Sequence, residues 1–490
     1  MGGTTTWQGM GVSVPSLAPN KSALFPDVCK LANGDLLMVT PRMTTHLTGD
    51  GELWKQTGTD NGDGTASWRG DWVKIYAQKD SAWDVRSGLC SRVPSGTHAG
   101  KIVVAVSDTH WLASRLNIDY LSPWPTVSVQ CFCRILISTD ATATTFVELA
   151  TLPPAFPGIA PNCNDFPESR VVFLPNGDWM VATYSRETHD YIGWYSSAYF
   201  RSTDEGANWT HEGFVARANT ANTNQDTAQQ CDEPQLLMLQ NGEMLCAIRW
   251  LEEGRPPDYT DGVVHKMFRC SNPTARGAMT WVDEGVCSVS QAGSRPALLQ
   301  HSSGMVVHAY RSYTGGFAKQ GVYRCSNDDA HTWTAERNLD NGVLTAGDSG
   351  TGIYSYGGWV ELANGGLLHE FSQDNSPATN SVVREARISV VSDVAALSLV
   401  ANSVWSLSGT TLTVNSAPSG TRSIVSGTAG SVNGGLVRFT GTHADRFSVS
   451  LDGSTFTPTV TIPAGTRSIW LGVTPQAGDT TLSAKVGIPV

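Results

Sequence analysis

Five residues of chemically useful type, and one phenylalanine, stand at one equivalent position of an internal repeat. Aligned on the strand before each turn glycine, that position holds Phe25, Arg86, Glu168, Glu233, Arg295 and Tyr356. Two arginines, two glutamates and a tyrosine in one column do not make a core. Charges placed there cost free energy unless they pair or meet a ligand. A second column, seven residues after the turn glycine, holds Pro41, Ser107, Ser185, Arg249, Arg311 and Ser372, with Arg186 one residue beyond Ser185. Arg86, Arg249, Arg295 and Arg311 can therefore converge on one face of a chain whose net charge is −11. A local basic site in an acidic protein suits an anionic ligand, most simply a carboxylate gripped by guanidinium forks. The other reading of the same columns is a solvated tunnel lining, in which the arginines pair with Glu168 and Glu233.

The elements that must position these residues are hairpins. An apolar strand, a glycine turn and a second apolar strand recur, first as Val28-Cys29-Lys30-Leu31-Ala32-Asn33-Gly34-Asp35-Leu36-Leu37. The turn returns at Gly177, Gly242, Gly304 and Gly365, with a looser copy at Gly100. Asn-Gly between β-rich runs is a strong hairpin signal. A second motif, S-x-D-x-G-x-x-W, reads Ser202-Thr203-Asp204-Glu205-Gly206-Ala207-Asn208-Trp209. It returns as Ser326-Asn327-Asp328-Asp329-Ala330-His331-Thr332-Trp333, and Ser138-Thr139-Asp140 starts a reduced third copy. In such a turn the Asp caps backbone N–H groups, the Gly takes a positive φ and the Trp packs beneath. Six repeats of about 62 residues fit six four-stranded blades closed into a ring.

The hairpins and these turns together resemble the Asp-box (BNR-repeat) six-bladed β-propeller of the sialidase superfamily, over roughly residues 4–392. The resemblance implies that a strand within Thr4–Val14 completes the last blade. It also implies a tyrosine nucleophile with a glutamate base, an aspartate acid/base on a loop, and three arginines that hold a sialate carboxylate. Tyr356-Gly357-Gly358-Trp359-Val360-Glu361-Leu362-Ala363-Asn364-Gly365 matches the frame of the family's Y-S-x-L-x-x-L-x-x-G motif, with Tyr354 the near alternative. Glu233 with Arg249 fits the glutamate and one arginine, and Asp50 matches the acid by loop position. A phenol of pKa near 10 needs a base to attack at neutral pH, and such enzymes depart from the two-carboxylate rule of glycosidases. The chain departs from the family too. It has Leu24-Phe25-Pro26 where the first arginine's R-I-P motif belongs, and Lys319 or Arg311 near the third. The implied grip is then rebuilt from Arg86, Arg249, Arg295 and Arg311, with Glu168 among the substrate-binding residues, or the substrate is not sialic acid.

Composition bounds the alternatives. The 490 residues are 40% apolar and 16% charged, with 49 Gly and 16 Trp, which suits an all-β globular protein rather than a disordered one. The excess of 44 acidic over 33 basic residues argues against nucleic-acid backbone binding. No apolar run is long enough for a membrane-spanning helix, and no His/Asp/Glu spacing implies a metal or other cofactor. The ten cysteines, such as Cys246 in Met244-Leu245-Cys246-Ala247-Ile248, read as small buried hydrophobes, with some pairing left open. Trp194, Tyr191 and Trp250 are candidates for a sugar-stacking rim or for core. Near residue 393 the chain turns rich in Ser, Thr, Gly and Val, so residues 393–490 are expected to form an immunoglobulin-like β-sandwich after a propeller of residues 1–392. The start, Met1-Gly2-Gly3-Thr4, has no signal-peptide pattern. The expectation is an extracellular or virion-associated protein with a glycan as partner, and assembly through the C-terminal domain. Three functions stay open: a hydrolase removing sialic acid or another anionic sugar, a non-hydrolytic glycan-binding propeller of a phage tail, and a uronate-acting hydrolase or lyase.

Overall fold

A computed structural model describes residues 4–14, 22–43, 51–77, 83–111, 129–156, 166–186, 195–219, 229–251, 263–289, 292–312, 321–339, 353–374 and 382–391. Beyond these it describes 397–399, 405–408, 411–415, 423–429, 435–440, 446–450, 454–456, 460–462, 467–474 and 481–487. The described elements are strands, with no α-helix among them.

Residues 4–391 form six consecutive antiparallel sheets. Blade one runs from Ser22–Ala23 and Asp27–Lys30 through Leu36–Met43 and Glu52–Asp60 to Ala66–Ala77. The inner strands of the next four blades are Trp83–Arg92, Phe166–Pro167 with Val172–Phe173, Gln230–Met238, and Ala297–Gln300. Blade six takes Ile353–Glu361, Leu367–Asp374 and Val382–Val391 from the end of the repeat, and its outer strand, Thr4–Val14, from the start of the chain. The inner strand Ile353–Glu361 packs against Asp27–Lys30, so blade six meets blade one and the ring is closed. Residues 4–391 form a six-bladed β-propeller.

The apolar runs have a simple cause. Side chains alternate across a strand, and in a ring of blades both faces of each sheet are covered. On one strand of blade three, Trp179 and Val181 join the buried cluster shared with blade two, while Met180 and Ala182 join the cluster shared with blade four. Every blade interface has such a cluster. All six turn glycines hold φ between 81° and 92°, a conformation that costs an L-residue about 1–2 kcal/mol. In five of the turns the glycine N–H bonds the carbonyl three residues back, as Gly242 does to Leu239 at 3.0 Å; Gly100 bonds Val93 across a longer loop.

The S-x-D turns are built from their own side chains. Gly206 N donates to Ser202 Oγ and Asn208 N to Asp204 Oδ1, each at 2.8 Å, over the buried Trp209. Ala330 and Thr332 repeat both bonds to Ser326 and Asp328. In the second copy Ala330 takes the positive φ of the missing glycine itself, and in the reduced copy Ala143, one residue beyond the glycine position, does so. After residue 391 the described strands make two further antiparallel sheets of four and five strands.

Candidate active site

The inner strands do not run unbroken. In each blade the ladder to the second strand is interrupted at the repeat position singled out by the sequence. Pairing jumps from Val85↔Asp108 to Ser87↔Ser107 around Arg86, from Asp232↔Arg249 to Gln235↔Ala247 around Glu233, and from Tyr354↔Gln373 to Gly357↔Phe371 around Tyr356. Phe25, Glu168 and Arg295 lie in gaps between paired segments of the other three blades. A break frees one residue per blade from the sheet's alternation and re-aims its side chain. Phe25 and Glu233 adopt φ of 54° and 49°, a left-handed conformation uncommon in non-glycine residues and costly for a side chain as large as Phe.

The freed side chains meet. The Tyr356 hydroxyl donates to Glu233 Oε1, and Arg249 Nη1 donates to the same oxygen at 3.0 Å. The other oxygen, Glu233 Oε2, is buried and has no hydrogen-bond partner among the described residues. Arg295 Nη1 donates to Glu168 Oε2 at 2.9 Å, its Nη2 donates to the Gly357 carbonyl at 3.2 Å, and its guanidinium lies 5.6 Å from the Tyr356 ring centre. Phe25 meets Tyr356 edge-on at 4.5 Å between ring centres. Arg86 lies 5.4 Å from the Phe166 ring, which stacks on Tyr184.

Burial sets the protonation states. The Tyr356 phenol is held well above its ordinary value, first by burial and then by the Glu233 charge, so it is a neutral donor. Burial pushes the Glu168 carboxyl up to about 7; Arg295 opposes this and Glu233 adds to it. Asp232 is likewise pushed up to about 7 by burial, against the pull of Arg249 3.9 Å away and with the push of Glu233. Three guanidinium groups thus face three carboxyls, two of which take up protons near neutrality.

The floor beneath the column is a cross-ring ion pair. Arg170 of blade three reaches Asp27 of blade one, Nη2 to Oδ1 at 2.6 Å, and also donates to the carbonyls of Val28 and Trp359. Asp27 Oδ2 accepts from the backbone N of Cys90 at 2.8 Å. Four blades are tied at one point.

No family model matches the chain, and no curated protein matches its sequence. Solved structures do match. A protein of unknown function from Dyadobacter fermentans is 15% identical with a TM-score of 0.58, over 79% of this chain and 99% of that one. The NanB sialidase of Streptococcus pneumoniae is 12% identical with a TM-score of 0.52, over 78% and 70%. A Trypanosoma rangeli sialidase variant displaying trans-sialidase activity is 10% identical with a TM-score of 0.50, over 99% and 95%. The chain shares the fold of these sialidases.

Within that fold, Tyr356, Glu233, Arg249, Arg295 and Glu168 form one connected cluster, and Arg86 borders it. Arg249 and Arg295 both engage the glutamates, as the tunnel reading expected. Arg311 is held in blade five, where its Nη2 donates to the Gly293 carbonyl at 2.7 Å. Trp250 is buried with Lys266 over its ring, a packing role. Asp50, Tyr191, Trp194 and Lys319 lie outside the described residues, as does the side chain of Tyr354. Nine cysteines are buried as thiols; Cys163 lies outside the described residues. Among the described residues no group of His, Cys, Asp and Glu could hold a metal ion. Sequence reasoning missed Asp232, the Phe166–Tyr184 stack and the Arg170–Asp27 pair. Asp27 and Arg170 each sit two residues after a column residue, a signal that extending the column by two would have read.

Proposed function

We propose that the chain is a retaining glycoside hydrolase that removes a terminal anionic sugar, sialic acid or a relative, from a glycan. Tyr356 is the nucleophile, Glu233 its base, and Arg249 the residue that fixes Glu233. The observation that carries this reading is the Tyr356–Glu233 hydrogen bond. A phenol attacks at neutral pH only if its proton has somewhere to go, and Glu233 already accepts its hydrogen bond. Glu233 Oε2, unpartnered among the described residues, is an acceptor that the resting site does not use. The anionic preference follows from charge: Glu168 and Asp232 each hold a proton part of the time near pH 7, and Arg86, Arg249 and Arg295 then outnumber the ionised carboxyls around them.

The test is turnover of sialyl and uronyl glycosides by wild type and Tyr356→Phe. Release of free sugar by wild type, lost in the variant, is the expected result. Glycan binding by both proteins with turnover by neither would make this a binding propeller. An ultraviolet-absorbing unsaturated uronate would make it a lyase.

A further inference from the structure

We propose that Glu168 is the proton donor to the departing glycosidic oxygen, and the base that later activates water. This rests on the hydrolase reading above and assigns the one role left there without a described residue.

The geometry starts from Arg295. Its guanidinium bonds Glu168 Oε2 on one side and the carbonyl of Gly357, the residue after the nucleophile, on the other, and it lies against the Tyr356 ring. Arg295 is 1% exposed, so it is a brace and not a surface group. Through it the Glu168 carboxyl is held at a set place relative to the attacking oxygen. Both Glu168 and Tyr356 stand in breaks of their inner strands, and both belong to the column that faces the axis. Of the three carboxyls in the cluster, Glu168 is the most open, with its side chain 12% exposed against 9% for Asp232 and 7% for Glu233. Glu233 is engaged as the base of Tyr356 and already accepts two hydrogen bonds on one oxygen.

The electrostatics fit the same role. The charges facing Glu168 are Arg295 and Arg86, which favour its anion, and Glu233, which opposes it; Tyr184 lies beside it as a neutral phenol. Burial outweighs the arginines, so a large share of the carboxyl is protonated at neutral pH. Once the proton has gone, Arg295 is in place to stabilise the carboxylate.

The steps balance. Tyr356 Oη bonds the anomeric carbon and gives its proton to Glu233. The glycosidic C–O bond breaks, its electron pair stays on the leaving oxygen, and that oxygen takes the Glu168 proton. Water then adds to the glycosyl–tyrosine as Glu168 takes its proton, and Tyr356 recovers its own from Glu233.

The test compares two substrates of unequal leaving group, the 2,4-dinitrophenyl and methyl α-glycosides of N-acetylneuraminic acid, with wild type, Glu168→Gln, Asp232→Asn and Asp50→Asn. Glu168→Gln should lose about 10²–10⁴-fold in kcat/KM on the methyl glycoside and less than about tenfold on the dinitrophenyl one, which needs no acid. Azide should restore its turnover, giving the glycosyl azide, because azide attacks the intermediate without a base. The alkaline limb of the wild-type profile near pH 7 should vanish with it. Equal loss on both substrates without azide rescue would overturn the assignment while leaving the hydrolase reading intact. So would the leaving-group signature appearing in Asp50→Asn instead. If Glu168→Gln does not fold, Glu168→Asp, which keeps a partner for Arg295, carries the same comparison. No turnover by wild type of either substrate or of the matching uronyl glycosides would overturn the hydrolase reading, and this role with it.

Discussion

Arg170 of blade three holds the carboxylate of Asp27 in blade one, though two blades that are not neighbours in the ring can touch only near its axis. Both groups are largely buried, and the pair is satisfied by further bonds to Val28, Trp359 and Cys90. Breaking a buried pair of this kind costs about 3–5 kcal/mol, because a charge is left uncompensated.

Gly358 is the residue that makes room for it. A Cβ there would collide with Asp27 Oδ1 and press on Arg170. Gly358→Ala should therefore destabilise by about 3 kcal/mol or more. Gly34→Ala meets no atom within 4 Å but must keep a φ of 89°, so it should cost only about 1–2 kcal/mol. Urea denaturation of the two variants checks the order; Gly34→Ala proving the worse would refute the axial lock.

The thiols should be silent. Nine of the described cysteines are buried thiols, and burial raises those of Cys131, Cys246 and Cys287. A buried thiol above its ordinary pKa supplies little thiolate to react. Native protein should titrate with a disulfide reagent at no more than one equivalent, the allowance being for Cys163, and denatured protein at the full ten of the sequence. Three or more fast-reacting thiols in the native state would contradict the packing.

The turn glycines and the column were legible because they recur: each hairpin demands the same positive φ, so six copies mark six inner strands. Position along a repeat then carried Glu233 to Tyr356, although 123 residues separate them. Direction was less legible. Alternation sends neighbours to opposite faces, so Asp232 beside Glu233 should point away from the site. The break after Asp232 removes that rule, and no local residue pattern announces it. Arg311 shows how partners are chosen outside the first column. It shares a column with Arg249, yet the Gly293 carbonyl claims its guanidinium, a partner set by tertiary packing.

The ring is closed by the start of the chain. Thr4–Val14 is the outer strand of blade six and pairs along Val382–Val391. Removing residues 1–14 would leave that strand as a bare edge, a template for pairing with other chains. The truncated protein should melt at lower temperature and form larger species on size exclusion. An unchanged, monodisperse profile would show that closure does not need this strand.

The pH dependence of stability has a definite sign. Asp232 and Glu168 are pushed up to about 7 in the fold from ordinary values of 3.8 and 4.5. Between about pH 4 and 7 the native state binds protons that the unfolded chain has released, so this pair stabilises most at low pH. The contribution falls as pH rises through that window and is lost above it. Because both carboxyls interact with Glu233, the loss belongs to the group rather than to one residue. Asp232→Asn removes one titration and one like charge beside Glu233. The melting temperature of the variant relative to wild type should therefore climb by a few degrees from pH 4 to pH 7.5 and then level off. A difference that is flat across the range, or that falls with pH, would show that Asp232 is ionised in the resting site and that Arg249 outweighs its burial.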